Sequence, residues 1–587
     1  MQSRHLFAST LIALAATTAT SIAAQAPSAG AGARYIVQAA TLSAANQDVA
    51  RAGGRTEQNL PIINAVSAHL NPGQVARLRR TAGVHVFDDR SLTTEGAGLL
   101  GLLSPVTSPV VMLASSLQTP TDGQGMLLPT LLYQTNYPML VGADALQQAG
   151  VTGKGVTIAV LDSGLWQDPS QNYSRRLLAS IDVLNGGSGP VKGDPYGHGT
   201  HVTSIAAGGA MNVSGSYLSI APQANLVAVR AFDGTGSGRY ADVIAGLNWI
   251  VANRTKYKIR VLNLSFGATP ESYYWDDPLA QAVMAVWRAG IVVVTAAGNE
   301  GPAAMTIDVP GNVPYVITTG ALTDNYTPYN VKDDRLASFS SAGPTYEGFV
   351  KPELVSPGGH MVASMPGGSY LANIDPHSML LTENLFTMSG TSMAAAVTTG
   401  VVALMLQSDP TLTPDGVKCR LLASSRPAVT AQGKLAYSVF QQGAGLINAI
   451  AAVNSSATGC ANVGLDINAD LAGTQHFGGP ANEDAAGNYY IMNMAGSAWG
   501  ASQASDGYTW SQGYAWNQGY NWSAGYLWSQ GYTWAKGYTW AKSYTWAKGY
   551  TWAKGYTWAK SVPWWTSPGT VVAPATPASI ENWVPNQ

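Results

Sequence analysis

Apolar runs that alternate with helical patterns constrain the fold of this chain more than any other feature. Runs typical of buried strands lie at residues 157–161, 225–230, 261–264, 291–295 and 316–319. Helical patterns lie between them, including residues 241–253 and 279–289. Such alternation predicts a parallel sheet covered by helices on both faces, and therefore an α/β domain.

Three short stretches supply an acid, a base and a nucleophile in chain order. Asp162 ends the first apolar run, so its carboxylate is expected at the carboxyl edge of the sheet, where open α/β sheets place their active sites. His198 stands between two glycines, and Ser392 opens a long apolar helix whose N-terminus would point at it. These side chains predict a serine-hydrolase triad. In the alternative interpretation, Asp162 and Ser392 are helix caps and His198 is a satisfied loop histidine.

A fourth motif, at residues 293–301, contains Asn299. With it, the chain resembles the subtilisin-like serine proteases, the subtilases, from about residue 141 to residue 453, and the order Asp, His, Ser is that of subtilisin. The resemblance implies a three-layer α/β fold with a parallel central sheet, the triad Asp162, His198 and Ser392, and Asn299 as the side-chain half of the oxyanion hole. It implies a serine endopeptidase that works through an acyl-enzyme intermediate and is self-processed from a precursor.

The resemblance also implies a peptide-binding strand and a first specificity pocket. Their residues are Leu264, Ser265, Phe266 and Gly267 for the strand, and Ala296, Ala297 and Gly298 for the pocket walls. Asp308 is expected near the base of this pocket, where a carboxylate would favour Lys or Arg side chains of a substrate. However, no basic residue lies between Arg90 and Lys154, where the chain would cut itself. We therefore expect broad, apolar-leaning specificity and a cut after Leu, Met or Gln, with basic specificity as the alternative.

The composition limits the partners of the chain. Of its 587 residues, 46% are hydrophobic and 11% are charged, and the formal net charge is −2. This balance gives no global electrostatic reason to bind nucleic acid or a charged membrane. Protein or peptide substrates are the expected partners, together with the chain's own propeptide as an inhibitor.

The N-terminus predicts export. Residues 1–26 combine a short basic start at Arg4, an apolar stretch and the cleavage site Ala24-Gln25-Ala26, as in a secretory signal peptide. A membrane anchor is the alternative, although Thr and Ser interrupt the apolar stretch. We expect a secreted, extracellular protein with no transmembrane segment in its mature form.

The two cysteines of the chain are Cys419 and Cys460. In an exported protein they are expected to form one disulfide, with two free buried thiols as the alternative. Neither has a histidine at a zinc-like spacing, so no metal site is predicted. The expected reaction requires no cofactor. Calcium, a structural ion in many subtilases, remains a possible structural ion here, but its loop ligands are not identifiable from the sequence.

The length is too great for one domain, and the chain divides into several segments. Residues 27–120 hold strand and helix patterns that resemble the subtilase propeptide, a small ferredoxin-like α+β domain, and then a processing segment. A generic α+β module is the alternative. The peptidase domain is expected at residues 121–460, a polar linker at residues 461–506 and a C-terminal tail at residues 561–587.

Nine hexapeptides, ideally Gly-Tyr-Thr-Trp-Ala-Lys, run in register through residues 507–560. In an extended chain this even period puts Tyr, Trp and Lys on one face. Such a ladder would suit a polysaccharide or a cell surface, and in the alternative function such binding dominates over proteolysis. Stacking on nucleic-acid bases is not expected, because the first four repeats lack Lys. Low complexity without a binding function is the remaining interpretation.

Overall fold

The computed structural model describes most of the chain between residues 32 and 491. The described ranges are 32–94, 137–191, 193–212, 214–324, 333–379, 384–428, 435–483 and 489–491, with the short pieces 514–515, 545–546 and 550–551. The predicted signal peptide, most of the predicted processing segment and most of the repeats lie outside the described residues.

An N-terminal domain spans residues 32–94. Its elements are β1 (Ala33–Gln38), α1 (Leu42–Arg51), β2 (Arg55–Leu60), β3 (Ala65–Leu70), α2 (Pro72–Leu78), β4 (His85–Asp88) and β5 (Ser91–Thr94). The first four strands form an antiparallel sheet in the order β2-β3-β1-β4. The two helices pack on one face of this sheet, where Val37, Val49 and Val75 share a core. The other face, with Ile36 and Ala65, joins the core of the larger domain.

The larger domain begins at residue 137. Its helices are α3 (Tyr137–Leu140), α4 (Ala143–Gln148), α5 (His198–Ala207), α6 (Tyr240–Tyr257), α7 (Pro278–Arg288), α8 (Tyr370–Ile374), α9 (Thr391–Ser408), α10 (Pro414–Ser424), α11 (Val439–Gln442), α12 (Ala449–Asn454) and α13 (Ile467–Leu471). Its strands are β6 (Thr157–Asp162), β7 (Leu177–Asp182), β8 (Asn225–Arg230), β9 (Ser237–Arg239), β10 (Ile259–Leu264), β11 (Phe266–Gly267), β12 (Val292–Ala296), β13 (Ile317–Thr323), β14 (Arg335–Leu336), β15 (Leu354–Pro357), β16 (Met361–Ser364), β17 (Leu385–Met388), β18 (Phe477–Gly478), β19 (Ala481–Glu483) and β20 (Tyr489–Ile491).

The central sheet contains eight strands in the order β14-β13-β12-β10-β6-β8-β7, with β15 paired to β13. Its pairs are parallel except for β13 with β14. Because β8 lies on one side of β6 and β10 on the other, the strand order reverses between β6 and β10. Such a reversal opens a crevice at the carboxyl ends of the strands. Asp162, the last residue of β6, stands at this crevice.

Helix α9 runs through the core of the larger domain. Its residues from Thr391 to Leu406 are all buried, which fits a helix that is apolar on every side. Among the described residues it is the one helix long and apolar enough to cross a membrane by composition. Since 89% of that window is buried inside the domain, the pattern reflects a core helix.

Residues 461–483, expected to be a linker, instead pack on the larger domain. Asp470 Oδ2 accepts hydrogen bonds from the hydroxyls of Tyr274 at 2.6 Å and Tyr315 at 3.1 Å. Phe477 is 2% exposed in the main core. The linker expectation is wrong for these residues, because their polar groups are satisfied by partners distant in the sequence.

Cys419 of α10 and Cys460 are joined by a disulfide, with their Cα atoms 5.1 Å apart. The bridge connects α10 to the start of residues 461–483. In the repeats, Tyr514–Ala515 pair with β18, and Thr545–Trp546 pair with Tyr550–Thr551. The rest of the repeat expectation lies outside the described residues.

Candidate active site

Asp162 and His198 form a buried acid–base pair. His198, the first residue of α5, places its Nδ1 2.9 Å from Asp162 Oδ1 and 3.0 Å from Oδ2. Their side chains are 0% and 1% exposed. A Cβ on the next residue, Gly199, would collide with the Gly164 carbonyl oxygen, so only glycine permits this approach. Since Nδ1 faces a carboxylate, it carries the ring proton, and the lone pair of Nε2 is left able to accept a proton.

Ser392 lies in the first turn of α9 and is anchored to Ser265, the residue that follows β10. Its Oγ donates to the Ser265 carbonyl at 3.2 Å, and the Ser265 hydroxyl donates to the Ser392 carbonyl at 3.0 Å. His198 Nε2 is buried and makes no hydrogen bond within the described part of the chain. The Ser392 hydroxyl and His198 Nε2 are therefore not hydrogen-bonded to each other in this structure.

Asn299 lies against the same turn. Its Oδ1 accepts from Thr391 N at 3.0 Å and from Thr391 Oγ1 at 3.2 Å. Because a backbone N–H can only donate, these contacts fix the oxygen side of the amide and direct the Nδ2 side away from Thr391. A Cβ on Gly390 would lie 3.6 Å from Nδ2. The structure thus brings Asn299 next to the loop that carries Ser392.

The predicted peptide-binding strand is paired with the chain's own N-terminal domain. Strand β5 lies between β11 and β9 as the middle strand of a three-stranded antiparallel sheet. Thr94 pairs with Phe266 and Thr93 with Gly267 on one side, while Ser91 pairs with Arg239 on the other. Leu264 and Ser265, which precede β11, are fully buried. The edge of the strand predicted to bind peptide is therefore occupied, in this structure, by an extended segment of the chain itself.

The predicted pocket residues also meet in space. Ala297 accepts a hydrogen bond from Asp308 N at 3.0 Å, which joins the two chain segments that hold the pocket residues. A Cβ on Gly298 would lie 3.1 Å from Asp308 Oδ2 and 2.9 Å from Glu300 Oε2. Ala296 ends β12 at the same place. Two carboxylates thus border Gly298; sequence reasoning identified Asp308 but missed Glu300, although it directly follows Asn299.

Comparison with known protein families identifies the family of this chain. The sequence profile of the subtilase family matches residues 153–445. Subtilisin E of Bacillus subtilis (strain 168) is 30% identical over 432 residues, which cover 71% of this chain and 90% of subtilisin E. This chain belongs to the subtilase family. The resemblance and the serine-type endopeptidase class predicted from the sequence are confirmed at this level.

Two further similar proteins are matched by this chain over only part of their length. The serine protease AprX of Bacillus subtilis (strain 168) is 41% identical over 273 residues, 46% of this chain and 60% of AprX. The chain therefore spans less than two thirds of that relative. The crystal structure of fervidolysin from Fervidobacterium pennivorans, a keratinolytic enzyme related to subtilisin, has a TM-score of 0.54 and 21% identity, covering 74% of this chain and 63% of fervidolysin. This likeness confirms the predicted subtilisin-like α/β fold.

Sequence reasoning missed Asp194, which orders the loop before the histidine in this subtilase. The N-cap of α5 is Gly197, which has no side chain to satisfy the first turn of the helix. The Asp194 carboxylate accepts instead, from Gly197 N and from Thr200 N, both at 2.8 Å. Burial raises the pKa of this carboxyl above its usual value, and the hydrogen bonds from Gly197 N and Thr200 N offset only part of that rise. A carboxylate at a helix N-terminus is the signal that could have identified it.

A second histidine of the subtilase, His201, lies one turn after the first. It is fully buried, and its Nε2 is 3.0 Å from the Phe386 carbonyl. Burial lowers the pKa of His201 to about 3. The ring is therefore neutral in the folded protein near pH 7 and donates to that carbonyl, which fits a packing role.

Proposed function

We propose that this subtilase is a secreted serine endopeptidase whose triad is Asp162, His198 and Ser392. The observation that carries the proposal is the buried contact of His198 Nδ1 with both Asp162 carboxylate oxygens. Ser392 lies in the first turn of α9. Hydrolysis of casein by the processed protein, absent in a Ser392→Ala variant, tests it.

In the proposed reaction Ser392 Oγ attacks the carbonyl carbon of a peptide bond while His198 Nε2 takes its proton. The C–N bond breaks, and the same nitrogen gives that proton to the leaving amine. Water then hydrolyses the acyl-enzyme by the reverse proton path. Asp162 stabilises the imidazolium without taking the proton.

No step of this reaction is routed through a cofactor. Within the described ranges, no group of three or more His, Cys, Asp or Glu side chains could hold a metal ion.

The oxyanion is proposed to bind to Asn299 Nδ2 and to the backbone N–H of Ser392. Asn299→Asp keeps the oxygen that accepts from Thr391. It removes the N–H donor and adds a negative charge beside the developing oxyanion. We expect kcat to fall about 10²–10³-fold with little change in KM, as for the loss of one such donor. Steady-state kinetics on a peptide anilide measure this.

The matched control for that prediction is Asn253→Asp on α6, where the amide donates to the Trp249 carbonyl. This variant is expected to keep its kcat. Equal kcat values for Asn299→Asp and the wild type would remove Asn299 from the oxyanion hole.

An extended peptide is proposed to bind as a strand between β9 and β11. Strand β5 occupies this position in the described chain, which supports the N-terminal domain as the propeptide and inhibitor. Contacts outside the strand hold the domain in place: Arg34 binds Asp242 at 2.9 Å, and Asp89 Oδ1 accepts from Ala241 N at 2.8 Å. An active enzyme therefore requires release of residues 32–94.

Asp308 is proposed to set part of the preference of the first pocket. Its residue is only 6% exposed, and a charge-assisted hydrogen bond in such a place is worth about 1.5–3 kcal/mol. Asp308→Asn is expected to lower kcat/KM for Lys or Arg about 10- to 100-fold relative to Leu at the residue before the cut. A panel of peptide anilides measures the ratio.

Glu300→Gln serves as the comparison, since its carboxylate borders the same glycine but accepts from Asn299 N at 2.8 Å. A smaller change is expected for it. If neither variant alters the Lys-to-Leu ratio, the broad, apolar-leaning specificity expected from the sequence is the better account.

The hexapeptide repeats are proposed to attach the enzyme to insoluble polysaccharide or a cell surface through their aromatic residues. Deleting residues 507–587 spares residues 461–483, which pack in the larger domain. We expect unchanged casein hydrolysis and lost retention on insoluble polysaccharide in a pull-down assay. A truncated enzyme that is retained as before contradicts this role, as does one that is no longer secreted or folded.

A further inference from the structure

A cavity of about 600 Å³ opens at the amino edge of the central sheet, at the opposite end of β6 from Asp162. Its walls come from the loop before β6, the link from α6 to β10, and the residues at the ends of α7 and α9. Four cationic side chains line it: Lys154, Arg254, Lys258 and Arg260. Since β6 has six residues and a strand rises about 3.3 Å per residue, the cavity lies roughly 20 Å from the catalytic edge.

The positive charge of this cavity has no acidic counterpart. No Asp or Glu is among its lining residues, and within the described ranges none of the four cations forms an ion pair. Asp409, which precedes the lining residue Pro410, is held instead by Arg420 at 3.0 Å and by the Thr411 hydroxyl at 2.6 Å. Burial lowers the pKa of Arg260 from its ordinary value, and no carboxylate offsets this effect.

Helix C-termini account for only part of the charge. Helices α6, α7 and α9 all end at the cavity, and a helix C-terminus attracts cations. Each end carries about half a negative charge, so three ends supply about −1.5 in total against four full positive charges. Lys154 and Arg260 also lie outside helices, in a loop and in β10. An excess of positive charge therefore remains for a ligand to neutralise, although the net charge of the chain is −2.

Hydrogen bonds hold the walls of the cavity in place. Gln407 Oε1 accepts from Lys154 N at 3.0 Å, which joins the end of α9 to the loop before β6. Arg260 donates to the Pro410 carbonyl at 2.9 Å and to the Leu412 carbonyl at 2.7 Å, which joins β10 to the turn after α9. These two bonds leave further N–H donors of the guanidinium unused. Because the walls are already ordered, a ligand would bind without the cost of arranging them.

We propose that this cavity binds a linear oligophosphate, with Lys154 and Lys258 in contact with phosphate oxygens. Arg and Lys side chains together are typical of phosphate sites, and a chain of phosphates concentrates several negative charges over a short length. The volume lies in the range of small-ligand sites. A ligand here bridges the loop before β6 and the link from α6 to β10, so it stabilises the folded protein without entering the catalytic cleft.

Isothermal titration calorimetry of the full-length protein with sodium triphosphate tests the site. Binding to the wild type is expected, with a Kd that rises with NaCl concentration because charges attract each other in the complex. Lys154→Gln and Lys258→Asn are each expected to raise Kd about tenfold, as for the loss of one charged hydrogen bond. Both side chains are exposed, and asparagine tolerates the left-handed backbone of Lys258, whose φ is 53°, so both variants are expected to fold. Circular dichroism checks this.

The matched control is Lys256→Gln, which removes the same charge from the last turn of α6. Lys256 Nζ lies 4.8 Å from the centre of the Tyr257 ring and does not line the cavity. An unchanged Kd is expected for this variant. Absence of triphosphate binding by the wild type overturns the proposal, as does an unchanged Kd in either cavity variant or an equal loss in the control.

Citrate separates phosphate recognition from attraction to any anion. This tricarboxylate is expected to bind the wild type more weakly than triphosphate does under the same conditions. Equal affinities for the two anions overturn the assignment of the cavity to an oligophosphate.

Discussion

Replacing Ser392 with alanine is expected to lower kcat by about 10⁶-fold, a magnitude known for loss of this residue in subtilisin, a relative of this chain. The variant keeps the helix and loses only the hydroxyl that attacks the substrate. The structure predicts little change in folding, because within the described ranges that hydroxyl makes a single hydrogen bond, to the Ser265 carbonyl at 3.2 Å. Casein and peptide anilide hydrolysis measure the loss.

The matched control is Ser408→Ala at the other end of α9. Its hydroxyl donates to the Leu404 carbonyl at 3.2 Å, far along the helix from the triad. Wild-type kcat is expected for this variant. Full activity of Ser392→Ala, or equal losses in both variants, would show that Ser392 is not the nucleophile.

Replacing Asp162 with asparagine is expected to lower kcat by about 10⁴-fold. An asparagine amide would offer its N–H to His198 Nδ1, which then becomes the acceptor and leaves the proton on Nε2. The ring in that tautomer cannot take the Ser392 proton. KM is expected to change little, since the Asp162 carboxylate accepts from His198 Nδ1 and Ser163 N. Steady-state kinetics measure both constants.

Asp168→Asn provides the comparison. Asp168 is also buried, but it accepts from Ser170 N at 2.9 Å and from the Ser364 hydroxyl at 2.6 Å, so no histidine depends on it. This variant is expected to keep kcat even where its stability falls. An Asp162→Asn enzyme with unchanged kcat would contradict the assigned role.

Much of the core could be predicted because its strands are apolar on both faces. The predicted run at residues 225–230 coincides with β8, and that at residues 157–161 is one residue shorter than β6. The half-exposed edge strand β7 was not predicted, since it lacks a continuous apolar run. Burial on both sides of a sheet leaves a strong local signal, whereas an edge strand leaves a weak one.

Residues of the candidate site could be predicted where they lie in short, recognisable sequence motifs. Asp162, His198, Ser392 and Asn299 each lie in such a motif, and the structure brings them to one edge of the sheet. Asp194 was missed because its function depends on the fold of the loop before α5. The position of β5 in the cleft was missed for the same reason, since it depends on pairing between residues far apart in sequence.

Residues 461–483 also could not be predicted correctly, because their packing depends on residues distant in the sequence. Their polar composition is typical of a linker, yet Asp470 is 3% exposed and accepts from two tyrosine hydroxyls of the larger domain. Composition describes what a segment would do alone in water. It does not show that a distant part of the chain offers partners for its polar groups.

The most direct test of the triad is covalent labelling of the processed enzyme with a fluorophosphonate, followed by mass spectrometry of its peptides. We predict one label per molecule, on Ser392, with a labelling rate that falls strongly in Asp162→Asn. A folded, processed protein that takes no label, or takes it on another residue, would contradict the account of this subtilase as a serine endopeptidase acting through Ser392.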